Sequence, residues 1–69
     1  MNGVVKWFNS NKGFGFIEGE DGNDYFVHFS NIDSSEGFKT VNEGDEVIFS
    51  PTKKEKGLSA EHVSVGMES

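Results

Sequence analysis

Two short stretches hold most of the side chains able to recognise another molecule: Lys12–Gly19, "KGFGFIEG", and Tyr25–Phe29, "YFVHF". Four phenylalanines and one histidine fall there within eighteen residues of a chain that is only 33% hydrophobic. Flat rings stack on other flat rings, and lysines stand beside several of them: Lys6 next to Trp7, Lys12 near Phe14, Lys39 next to Phe38. Rings edged by cations suit a ligand that is flat and anionic. Catalysis is not expected. His28 and His62 are the only histidines, the carboxylates lie mostly in turn-like segments, and no nucleophile stands beside a base. With no cysteine, disulfides and thiolate metal sites are excluded. Glu61 and His62 do not suggest a metal site, because adjacent strand residues face opposite ways. No cofactor is expected.

These side chains need elements to hold them, and the pattern favours short strands over roughly 3–9, 13–18, 24–29, 45–51 and 58–65. No segment carries a sustained 3.6-residue apolar period with caps. "GEDGN" at 19–23 reads as a hairpin loop, "NEGD" at 42–45 introduces the fourth strand, and "KKEKG" at 53–57 joins it to the fifth. The stretch 30–41 is irregular, with a helical turn expected near Ser30–Asp33. Pro51 lacks a ladder donor, so that end of the fourth strand should be an edge or a bulge. The expected fold class is all-β: a five-stranded antiparallel Greek-key barrel (OB-fold), forming a single domain over 1–69. The longest apolar run is three residues, as in Val47–Phe49, and no export signal is visible, so no membrane association and a cytoplasmic location are expected.

Alternation tells which rings face out. In the third strand Phe26 and His28 share one face, and Tyr25 and Val27 the other. A histidine in a small apolar core is costly without a partner, so His28 belongs outside and carries Phe26 with it. In the second strand Phe14 and Phe16 share a face opposite Gly13, Gly15 and Ile17. Ile17 and Val27 then face inward, joined by Val5, Ile32, Val47, Val63, Phe49 and Phe8. If residues 18 and 24 flank the turn as a pair, Phe16 opposes Phe26 and Phe14 opposes His28, giving a continuous platform. Trp7 shares a face with Val5 by strict alternation, and a bulge would turn it outward.

An exposed aromatic patch implies a ligand. Nucleobases stack on such rings with about 1–3 kcal/mol per base, largely whatever the base. In a duplex their faces are hidden, which points to single strands. The formal charge of −6 opposes a polyanion on average. About four lysine–phosphate contacts would contribute roughly 2–3 kcal/mol over a fourfold change in salt. Four or five stacked bases contribute more, so stacking dominates and the lysines serve at the rim.

"GVVKWFNSNKGFGFI" followed by "YFVHFS", with "GFKTVNEGDEV" further on, closely resembles the bacterial cold-shock proteins, whose domain also occurs in eukaryotic Y-box proteins. The resemblance spans nearly the whole chain and is strongest over 3–30. It implies an OB-fold barrel that binds single-stranded RNA and DNA, acts as an RNA chaperone or regulator of transcription and translation, and serves cold adaptation. The contacts it implies are Lys6, Trp7, Lys12, Phe14, Phe16, Phe26, His28, Phe29 and Phe38, with Asp24, Lys39 and Lys56 as weaker members. It turns Trp7 outward and adds Phe29, which alternation alone places inside. A monomer is expected, with a strand-swapped dimer as the alternative. The chain departs from the family pattern at three places. Tyr25 stands where a valine is usual, Leu58 where a proline follows the glycine, and the loop from Phe29 to Phe38 is slightly longer.

Overall fold

Buried small, β-branched and aromatic residues alternate with outward-facing ones along five strands: β1 (Asn2–Asn9), β2 (Phe14–Gly19), β3 (Asp24–His28), β4 (Glu46–Lys54) and β5 (Gly57–Val65). The structure, a computed structural model, describes residues 1–33 and 41–65. The strands close into a barrel in the order β1-β2-β3-β5-β4. Four seams are antiparallel, and the fifth, between β3 and β5, is a parallel pairing at Phe26↔Ser59. The parallel seam is a matter of parity, since strand directions cannot alternate all the way round a ring of five.

The expected inward residues Val5, Ile17, Val27, Ile32, Val47, Val63 and Phe49 are all buried, and Val41, Ala60 and Tyr25 complete the core. Phe8 is partly buried against it. Tyr25 fits where a smaller side chain would because its ring lies 5.0 Å from that of Phe49, while its hydroxyl reaches the β2–β3 turn and donates to Asp21 Oδ2 at 2.6 Å. The same carboxylate accepts from the Asn23 backbone at 3.1 Å. The Tyr25 bond, reinforced by Asn23, holds the Asp21 carboxyl below its ordinary range, and the Asp21 bond raises the Tyr25 phenol.

Element ends differ from the expected ones for local reasons. β4 runs on to Lys54 because the β4–β5 hairpin uses only Glu55 and Lys56 as its loop, with Gly57 at φ +130°. Pro51 pairs with Ala60 of β5, whereas β1 pairs with β4 only as far as Ile48, so the proline occupies an edge on its other side. A bulge lies just before it. Ser64 and Glu61 face Ile48 and Ser50, leaving an extra residue in β5, and His62 there has φ 52°. β3 stops at His28, and the chain turns into a 3-10 turn over Phe29–Asn31, one residue ahead of the expected start.

Candidate nucleic-acid interface

β2 and β3 pair with Phe16 opposite Phe26 and Phe14 opposite His28, the register expected from the hairpin. The register between β1 and β2 shifts between Val5 and Trp7, where a bulge breaks alternation. Val5 stays in the core while Trp7 turns outward opposite Phe16 and is 42% exposed. Gly15 makes the close approach feasible. A Cβ there would collide with the Trp7 carbonyl and lie 2.7 Å from Phe8 Cα.

The result is a connected aromatic surface. Trp7 contacts Phe14 edge-on and Phe16 at a tilt, Phe14 stacks on Phe26, and Phe16 meets Phe26 edge-on, with centroids between 5.7 and 5.9 Å apart. Phe14 and Phe16 are half-buried by their neighbours, whereas Phe26 and Trp7 are more open. Phe29 is 44% exposed, because the chain leaves the strand at His28 and the parity of β3 no longer governs it. Its ring lies 4.7 Å from that of His28.

His28 caps the 3-10 turn. Its Nδ1 accepts from the Ser30 backbone N–H at 3.2 Å and lies 2.9 Å from Ser30 Oγ. With Nδ1 engaged as acceptor, the neutral ring carries its proton on Nε2, which is thereby a donor. Gly13, with φ +79°, accepts from the Phe29 amide at 2.8 Å and ties the β1–β2 turn to this one. Lys12 is exposed in that turn, where Asn9 Oδ1 accepts from its backbone N–H at 3.0 Å.

The charged residues divide. Lys6 Nζ sits 3.3 Å from both carboxylate oxygens of Asp24, and both side chains are about half exposed. Lys56 stands in the β4–β5 hairpin, far along the chain from the rings, yet shares a cleft of about 860 Å³ with Phe16, Phe26 and His28. Phe38 and Lys39 lie outside the described residues. The same cleft is also lined by Asn31, Lys54, Leu58 and Ser59, which the sequence reading did not select. They reach it through the β3–β5 seam, where Ser59 Oγ donates to the Phe26 carbonyl at 3.4 Å. No local pattern announces that pairing. Lys54 is held 3.0 Å from Glu61, and this bond with its attendant charge lowers the Glu61 carboxyl. Among the described residues no group of three His, Cys, Asp or Glu could hold a metal ion, and no helix is long and apolar enough to cross a membrane.

Chemically, the surface offers π-faces in sequence, an imidazole donor, and cations at its margins. Comparison with known proteins agrees in kind. The profile of the "'Cold-shock' DNA-binding domain" matches residues 1–65. Cold shock protein 1 of Lactiplantibacillus plantarum is 56% identical over 62 residues, which cover 90% of this chain and 92% of that protein. The major cold shock protein CspA of Pseudomonas aeruginosa is 55% identical over 65 residues, covering 94% and 93%. Among solved structures, drosophila Unr CSD456 superposes with a TM-score of 0.69 over 93% of this chain. This chain spans 25% of that longer one, and at 24% identity the likeness speaks for the fold.

Proposed function

The chain belongs to the cold-shock DNA-binding domain family, and we propose that it binds single-stranded RNA and DNA by stacking unpaired bases on Trp7, Phe14, Phe16, Phe26, His28 and Phe29. The observation that carries this is the run of ring contacts from Trp7 across Phe14 and Phe16 to Phe26, open to solvent on the outside of β1–β3. Lys6, Lys12 and Lys56 hold phosphates at its edges. Asp24 meets base donors once Lys6 swings to a phosphate. Phe38 and Lys39, outside the described residues, are proposed as further contacts.

One such domain covers about six or seven nucleotides, within the roughly 4–16 usual for an OB-fold. By holding bases that open transiently, it shifts secondary-structure equilibria in RNA without consuming ATP. That is the work of an RNA chaperone or of a regulator of transcription and translation. It is needed most in the cold, when hairpins are strongest. The protein acts as a cytoplasmic monomer. Titrating Trp7 fluorescence with oligo-dT, duplex DNA and an unrelated peptide tests the reading. Quenching by the single strand alone supports it, and a response to peptide but not to oligo-dT at low salt overturns it.

A further inference from the structure

The outer face of β1 changes character along its length. Beyond the bulge it carries Trp7; before it stands Val4, 44% exposed, with Glu18 of β2 opposite on one side and Glu46 of β4 on the other. Ile48, 49% exposed, pairs with Asn2 and so lies diagonal to Val4 on the same face. These residues and Glu20 line a groove of about 450 Å³. No lysine lines it, and none of the three glutamates has an ion-pair partner among the described residues.

Two aliphatic side chains bracketed by carboxylates are a poor surface for nucleic acid, because the local field repels phosphate. They are complementary to a side chain with an apolar stem and a cationic head. The stem of an arginine or lysine covers Val4 and Ile48 while the head turns out to Glu18, Glu20 or Glu46. A guanidinium does this best, since its fork matches a carboxylate. We propose that this groove docks an arginine- or lysine-rich segment of a second protein, on a surface separate from the rings. The protein would then join a strand held on one surface to a basic partner held on another.

The test uses the full chain labelled with ¹⁵N, titrated with a short peptide alternating arginine and leucine, alone and with the rings saturated by oligo-dT. Amide shifts are expected at Asn2–Val4, Glu18–Glu20 and Glu46–Ile48 in both titrations. Glu18→Gln with Glu46→Gln should weaken the peptide about fivefold, the size of two exposed ion pairs lost. Val4→Ser with Ile48→Ser, which keeps every carboxylate, should weaken it severalfold as well, with thermal melts showing each variant folded. Shifts centred on the rings, shifts scattered over remote carboxylates such as Glu55, or affinity indifferent to the serine pair would each overturn the proposal. Oligo-dT affinity, read in parallel, reports on the platform independently.

Discussion

Phe26 is the ring on which packing and recognition can be separated. It is 37% exposed, its ring stacks on Phe14 at 5.9 Å and meets Phe16 at 5.8 Å, and its backbone carbonyl receives Ser59 Oγ. Two ring pairs contribute roughly 1–3 kcal/mol together, so Phe26→Ala should lower folding stability by that order. A stacked base is worth about 1–3 kcal/mol, so the same variant should bind single strands about 5- to 150-fold more weakly. Alanine alone leaves the two losses confounded. Phe26→Leu separates them, because leucine keeps an apolar body against Phe14 and Phe16 but has no π-face. Leucine should therefore recover most of the stability, measured by urea unfolding, and little of the affinity, measured by Trp7 quenching with a seven-base oligo-dT. If Phe26→Leu binds as tightly as the parent, or if affinity and stability fall in proportion in both variants, the ring serves packing and the stacking argument fails.

Four further outcomes follow from the geometry. Lys6→Gln, Lys12→Gln and Lys56→Gln should each flatten the slope of log affinity against log salt by about 0.7, and an unchanged slope would remove that lysine from the phosphate contacts. The Tyr25–Asp21 bond lowers the acid's pKa, so its contribution is present above the ordinary 3.8 and is lost as pH falls through the depressed value. It raises the phenol's pKa, so the same contribution is lost as pH rises from the ordinary 10.0 through the raised value. Tyr25→Phe should therefore flatten both ends of the stability–pH profile while leaving its middle shape unchanged, as followed by denaturant titration. Gly15→Ala should cost several kcal/mol or prevent folding, since the added carbon meets the Trp7 carbonyl and Phe8 Cα of the β1 backbone, which no movement of the Phe8 ring relieves; circular dichroism would show it. His62→Gly should be neutral or stabilising by up to about 1 kcal/mol, because a left-handed backbone suits glycine, and a clear loss in the melting temperature would contradict this.

Much of the platform was legible because one polar residue orients a strand. His28 could not sit unpartnered in a core this small, and its parity placed Phe26 outside and Val27 inside. The short β2–β3 loop then set the partners of Phe14 and Phe16. Trp7 lay beyond such reasoning from alternation alone. A bulge shifts parity by one, and its signal, the bare Gly15 across the seam, acquires meaning only when the strands are paired. Phe29 was misplaced by alternation because a strand end leaves no mark on parity. The cleft residues Asn31, Lys54, Leu58 and Ser59 depend on β3 meeting β5, and the acidic groove depends on β4 meeting β1. Both are pairings of distant segments, which local patterns do not encode. Tyr25 was correctly directed inward, but its latch to Asp21 needs the turn's shape as well as its composition.

The odd number of strands has a mechanical consequence. Around the ring the parallel seam at Phe26 and Ser59 is the shortest hydrogen-bonded closure, and the cleft lies astride it, with Phe26 and His28 on one bank and Leu58 and Ser59 on the other. A strand of nucleic acid lying across that cleft would act as an external hoop, clamping the barrel where its own ladder is thinnest. Amide exchange at the seam should slow on binding more than exchange at β1–β2, whose ladder is already long. Cargo and container would then brace each other, with the barrel holding the strand open and the strand holding the barrel shut.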